Sequence, residues 1–302
     1  MTASNRSASV YGSLCCLAVI ALWGIEPLFM KVALIEFDSY TITWFRVAGA
    51  FLLMFVARAN LWASAPRAFL RHFWGVILSG CFLAVYFYAF VKGIEVGGPM
   101  TAAITIQIGP IALALIGFVF FHEKLIRVQI VGAFIAILGF VVFFYSRLSG
   151  VEEAQFQLEA VIIVSIAAIS WAGFCVGQKI IGATIGANLL NFITFLFAAL
   201  LLFPIITYPR GEQLATWSFA AIVYLSVSTF IAYWALGEAI RLLPVSIVSF
   251  FITLNPFVTI ICVQILLWLG NDFFEPQPLT FYGYIGSCMA LLGVAGATLR
   301  RR

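Results

Sequence analysis

Glu26 is a carboxylate set in an apolar run, with Val19-Ile20-Ala21-Leu22-Trp23-Gly24-Ile25 before it and Pro27-Leu28-Phe29-Met30 after it. An ionisable group in the middle of such a segment costs a few kcal/mol to place in hydrocarbon and ordinarily faces a cavity or a partner. Counting inward from the nearer ends of two neighbouring segments places Glu26 and Arg46 at similar depth, each roughly 9 to 10 Å in at about 1.5 Å per residue. An ion pair is therefore within reach. It supports two readings that stay open at this point: a fixed pair that packs two helices, or a substrate or proton site in which Glu26 holds an ammonium group or a coupling proton.

Around this pair the sequence offers polar breaks and aromatic surface. Pro27 follows Glu26 directly, and Pro110 and Pro256 interrupt two later segments, so each is expected to free a backbone carbonyl one turn back. Gln107 precedes the second break, and Thr253 and Asn255 accompany the third. Trp23, Glu26 and Met30 share a helical face at i, i+3 and i+7, and Trp171, Phe174 and Gln178 occupy the matching face of a later segment. Tyr86, Tyr88, Tyr233 and Trp234 add rings that suit an amphipathic or cationic ligand through stacking and cation–π contact. Packing between helices is the competing role for any one ring or proline.

Other chemistry is short of parts. His122-Glu123 begins like a zinc helix, but the fifth position of that motif is Ile126. The chain has two histidines, and its six cysteines all fall in apolar segments without a C-x-x-C pair. No metal site, cofactor, disulfide frame or enzymatic activity is expected.

The elements that position these residues are read from composition. Hydrophobic residues make up 64% of the chain and charged residues 9%, and the mean hydropathy is +1.12, far from the roughly 25% charged of soluble domains. Segments near 20 apolar residues can cross about 30 Å of hydrocarbon. Ten are expected, at 11–33, 40–59, 72–93, 98–120, 127–146, 158–180, 187–207, 217–241, 244–269 and 279–299. The first is longer than a signal h-region and lacks a convincing cleavage site, so it is expected to stay in the mature protein.

With the N-terminus inside, one face collects Arg6, Arg58, Arg67, Arg71, Lys124, Arg127, Lys179, Arg241 and Arg300 to Arg302, 11 basic residues in all. The other face holds Lys31, Lys92, Arg147 and Arg210 and most of the acids. Positive loops stay in the cytoplasm, so both termini are expected there, in a multi-pass protein of the cell inner membrane. The net charge of +4 is what that rule places beside an anionic leaflet, and no nucleic-acid partner is needed to explain it.

The chain also reads as one unit written twice. Trp23 to Lys31 recurs as Trp171 to Lys179 at an offset of 148, and Ala89 to Pro110 recurs as Ala235 to Pro256 at an offset of 146. Gly132 and Gly139 recur with the same spacing as Gly286 and Gly293. The expected units are 1–150 and 151–302. Five crossings per unit is odd, so the two must be inverted, an arrangement found in secondary transporters. The halves disagree at Glu26 against Phe174 and at Arg46 against Thr194.

Trp23-Gly24 with Lys31, Phe45-Arg46, and His122-Glu123-Lys124 after Pro110, taken with the paired glycines, resemble the EamA family of the drug/metabolite transporter superfamily over residues 11–298. The resemblance implies an all-α membrane protein of ten helices in two inverted five-helix repeats. It implies a cavity lined mainly by the first four helices of each repeat, with the fifth and tenth at the periphery. The long stretch Gly270 to Pro278 departs from the acidic turn the pattern would place there.

The expected function is export of amino acids or related small amphipathic metabolites by alternating access, with protons as the candidate coupling ion. A multidrug or other cation, a nucleoside or a sugar derivative is the alternative cargo. A non-transporting membrane assembly subunit is the reading from a different class. The expected substrate-binding residues are Trp23, Glu26, Arg46, Tyr86, Tyr88, Gln107, Trp171, Gln178, Tyr233, Trp234, Thr253 and Asn255.

Overall fold

The computed structural model describes residues 3–57, 60–120, 127–146, 151–207, 216–243, 248, 251–270 and 280–298, and every regular element among them is helical. The helices are α1 (Ala3–Ala33), α2 (Ser39–Ala57), α3 (Asn60–Arg71), α4 (Phe73–Thr105), α5 (Ile108–Phe120), α6 (Arg127–Tyr145), α7 (Val151–Gly177), α8 (Ala187–Leu202), α9 (Thr216–Leu242), α10 (Asn255–Trp268) and α11 (Phe281–Thr298). Among the described residues, six helices are long and apolar enough to cross a membrane, and three shorter apolar ones accompany them. His122 to Lys124 and residues 271–279 lie outside the described residues.

Glycine and proline divide the apolar sequence into these pieces. Gly98 breaks α4 with φ 79°, a left-handed conformation that only glycine adopts without strain, and Pro99 restarts the helix on the far side. The expected span 98–120 is not continuous: the second arm of α4 ends at Thr105, and a turn at Ile106-Gln107 precedes α5. Pro110 then stands in the first turn of α5, and Pro256 at the start of α10. This corrects the expectation that both prolines kink a spanning helix. In a first turn the missing N–H would have no intrahelical acceptor, so proline there starts a helix at little cost.

Beyond α7 the helix widens into a π turn at Gln178–Gly182 and closes with Ala183–Ile185, before Gly186 at φ 92° turns the chain into α8. The helix α3 falls between the expected spans 40–59 and 72–93. It forms because Ala65 and Phe69, four apart, pack on the core, while Arg67 and Arg71, also four apart, face outward.

The helices cross in antiparallel pairs. Tyr224 of α9 donates to the Leu22 carbonyl of α1 at 3.3 Å, and Ser218 donates to that of Val32 at 3.4 Å. A Cβ on Gly93 of α4 would meet Val164 of α7 at 2.1 Å, and one on Gly177 would meet Ser79 at 2.1 Å. Between α6 and α11 the approach is backbone to backbone. A Cβ on Gly132 would lie 2.4 Å from the Ala297 nitrogen, and one on Gly139 would lie 2.2 Å from that of Ala290; one on Gly286 would lie 2.4 Å from the Phe143 nitrogen, and one on Gly293 would lie 2.2 Å from that of Ala136. Small residues allow this contact, which dispersion stabilises in an environment as apolar as the side chains. Phe140, Phe143, Ala290 and Val294 extend it into a core shared with Leu28 and Met100.

Candidate functional site

Two helix breaks meet inside the bundle. The side-chain amide of Gln107, in the turn before α5, donates to the backbone carbonyl of Thr253, in the turn before α10, at 3.2 Å across 146 residues. That separation equals the offset of the sequence repeat, so equivalent positions of the two halves touch. Beside them is a cavity of about 60 Å³, which is room for a few water molecules. Its wall includes Trp23 and Glu26 of α1, Tyr86 of α4, Gln107, Trp171 of α7 and Asn255 of α10. These are six of the twelve residues expected from sequence.

Glu26 is 3% exposed, and each oxygen of its carboxylate accepts a hydrogen bond. Oε2 accepts from Arg46 Nη2 at 2.6 Å and Oε1 accepts from Ser228 Oγ at 2.7 Å. Arg46, 1% exposed, also donates through Nε to Thr229 Oγ1 at 3.2 Å and through Nη1 to Met30 Sδ at 3.9 Å. Its guanidinium carbon lies 4.6 Å from the centre of the Phe87 ring. The pair foreseen by counting depth is therefore formed, with Arg46 behind the carboxylate rather than on the cavity wall. The opposite charges and hydroxyl donors offset the desolvation of both ions.

Ser228 and Thr229 were not foreseen, nor was Thr259, which lines the cavity and donates to the Gly24 carbonyl at 2.6 Å. That carbonyl is the neighbour of the Trp23 carbonyl, four residues before Pro27, which the proline leaves without its helical donor. The available signal for Ser228 and Thr229 was a disagreement between the halves, since the positions 146 earlier are Phe82 and Leu83. On the cavity wall, Asn255 Oδ1 is buried without a hydrogen-bond partner among the described residues.

The remaining expected residues lie elsewhere. Thr253 is buried and contributes its carbonyl to Gln107. Tyr233 is 2% exposed and packs behind Trp23, with ring centres 5.5 Å apart, and against Phe87 and Phe195. Trp234 packs on the cluster of Cys15, Cys16 and Val19. Gln178, in the π turn, donates to Asn191 Oδ1 at 2.6 Å. Tyr88 stacks on Tyr40 with ring centres 4.1 Å apart. Of the four rings that α4 and α9 contribute, Tyr86 lines the cavity, while Tyr88, Tyr233 and Trp234 pack against neighbouring helices.

Tyr88 belongs to a second polar group where α1 turns into α2. Asp38 accepts from the Tyr40 and Thr41 backbone N–H groups at 2.9 and 3.0 Å, which caps α2. Its other oxygen accepts from the hydroxyls of Thr41 and Thr207. Thr41 Oγ1 donates to the Thr207 carbonyl at 3.2 Å, and the Thr207 N–H donates to Thr41 Oγ1 at 3.1 Å. Burial pushes the Asp38 carboxyl up, but the bonds from Thr207, Thr41 and Tyr40 outweigh it and hold the carboxyl below its ordinary value. Close by, Glu95 accepts from Ser39 and from Lys92. The end of α8 is thereby tied to the start of α2.

The chain is similar to several known proteins. A protein of Escherichia coli K12 named as the uncharacterized inner membrane transporter YhbE is 25% identical, over 96% of this chain and 92% of its own length. An uncharacterized transporter of Haemophilus influenzae is also 25% identical, over 92% of both chains. One solved crystal structure superimposes with a TM-score of 0.58 at 19% identity, covering 97% of this chain and 96% of the other, and it supports the fold alone. The model of the EamA-like transporter family matches residues 10–145 and again 158–299. This chain belongs to the EamA-like transporter family.

Proposed function

We propose that the chain is an inner-membrane secondary transporter of ten crossings, built from inverted halves at 1–150 and 151–302, that works by alternating access. The observation that carries this reading is the Gln107–Thr253 contact, where equivalent helix breaks meet beside the cavity. Broken helices at the meeting of two repeats are where transporters of this kind place their cargo. The antiparallel crossing of α6 on α11, with Gly132 against Gly293 and Gly139 against Gly286, supports inversion of the two halves. The distribution of Lys and Arg supports cytoplasmic termini, and the names of the relatives support the inner membrane.

The cargo in this reading is an amino acid or a related small amphipathic metabolite, with Glu26 as the seat of a coupling proton. One feature favours the amine-bearing and cationic end of that range. The wall carries the Glu26 carboxylate, the unpaired Asn255 oxygen and the rings of Trp23, Tyr86, Phe90 and Trp171, and no basic side chain among its described residues. A positive group there meets acceptors and ring faces, whereas a phosphate or free carboxylate meets no cation.

Counterflow in proteoliposomes tests the proposal. Labelled amines and amino acids are expected to exchange faster than in protein-free vesicles, and phosphorylated sugars are not. If no member of a broad metabolite panel exchanges, the transporter mechanism is wrong; if only anionic solutes exchange, the cargo assignment is wrong.

A further inference from the structure

A second site lies well away from the cavity, where α3 turns into α4. Arg71 ends α3, His72 makes the corner, and Phe73, Trp74 and Gly75 begin α4. With Leu70 and with Ile181 of the π turn they line an open groove of about 500 Å³. Arg71 and His72 are its polar lining side chains. His72 Nε2 lies 3.4 Å from Thr184 Oγ1, just beyond the π turn, and no acidic residue lines the groove among the described residues.

The rim has the opposite character. Leu70 is 74% exposed and Trp74 is 79% exposed. One turn further along α4, Leu78 is 57% exposed, and Val85 continues the same stripe at 42%. Positions 74, 78 and 85 fall within about 40° of one another around a helix of 3.6 residues per turn. A basic pocket therefore opens directly onto an apolar track that runs down the outside of α4. Arg67 stands one turn before Arg71 on the exposed side of α3.

We propose that this groove holds the headgroup of an anionic phospholipid. Arg71 takes the phosphate through paired N–H donors, His72 lies beside it, and an acyl chain runs along Trp74, Leu78 and Val85. Tryptophan at the junction of polar and apolar surface is the residue suited to that depth. The positive-inside reading puts Arg67 and Arg71 on the cytoplasmic face, whose leaflet is rich in anionic lipid, and basic pockets between helices on that side bind such headgroups.

Native mass spectrometry of the full chain in nonionic detergent tests the site, with phosphatidylglycerol and phosphatidylcholine offered in equal amounts. Phosphatidylglycerol adducts are expected to predominate. Arg71→Gln is expected to weaken them about fivefold, the effect of one arginine near an anionic surface, while Arg71→Lys retains most of the binding and controls for misfolding. Trp74→Ala is expected to reduce adducts of both lipids. Equal binding of the two lipids, an unchanged Arg71→Gln variant, or displacement of the lipid by inorganic phosphate at matched concentration would each overturn the proposal, the last by assigning the groove to a soluble anion.

Discussion

Glu26 and Arg46 each depend on the other, because removal of either leaves a buried charge whose remaining described partners are neutral: the Ser228 hydroxyl for Glu26, and the Thr229 hydroxyl, Met30 sulfur and Phe87 ring for Arg46. Breaking such a pair from one side costs about 3–5 kcal/mol, whereas replacing both members with apolar residues of similar volume is often neutral. Glu26→Gln and Arg46→Gln are therefore each expected to lower thermal stability in detergent markedly, and the Glu26→Leu/Arg46→Met double variant to recover most of it. Counterflow then separates the roles. Wild-type transport by the double variant would make the pair a scaffold, and loss of transport with stability regained would make Glu26 part of the mechanism. Depth along two helices was enough to find this pair, because both residues sit in uninterrupted apolar runs. The partnership of Ser228 with Glu26 was not legible, since a disagreement between the halves marks the position but nothing near it in sequence reports that α9 lies against α1, 202 residues earlier. Its removal as Ser228→Ala is expected to cost about 1.5–3 kcal/mol, the range for hydrogen bonds to charged groups.

Helices α2, α6 and α11 show how single positions govern an element. Asp38 caps α2, and losing a cap costs about 1 kcal/mol, so Asp38→Ala is expected to lower the melting temperature at neutral pH. Because folding holds this carboxyl below its ordinary value of 3.8, its contribution is fully present above that value and is lost as the pH falls through the lower folded value. The acid limb of a pH–stability curve should accordingly flatten in the Asp38→Ala variant, and an unchanged limb would contradict the cap. On α6 and α11 the glycines admit no side chain at all. A Cβ at Gly139 or Gly293 would sit 2.2 Å from a backbone nitrogen, and no rotamer can relieve that clash. Gly139→Ala and Gly293→Ala are each expected to destabilise by about 1–3 kcal/mol, measured by thermal unfolding. The spacing of these glycines was legible because it recurs at a fixed interval. The true role of Pro110 and Pro256 was not, since a proline in an apolar run reads the same whether it kinks a helix or starts one, and only the partner across the turn, Gln107 to Thr253, decides between them. The helix α3 escaped notice for a related reason: its arginines and Pro66 look like a loop until Phe69 has a core to pack on.

At the scale of the whole molecule, duplication brought equivalent residues together, and a polar tie between α2 and the end of α8 joins the two halves at one place. Thr41 and Thr207 come from opposite halves, and their hydroxyl oxygens lie 3.5 Å apart. Trp44 adds a bond from Nε1 to the Ala199 carbonyl at 3.0 Å further along the same seam. If cargo reaches the cavity alternately from each side, this seam must part once per cycle, and three or four hydrogen bonds of about 1 kcal/mol each allow opening on a functional timescale. A covalent bond does not. Thr41→Cys/Thr207→Cys, oxidised in proteoliposomes, is therefore expected to stop counterflow, and a membrane-permeant reductant to restore it, with each single variant insensitive to oxidation. A cross-linked protein that transports at the full rate would mean the seam stays closed throughout the cycle, and access to the cavity would then have to run between other helices.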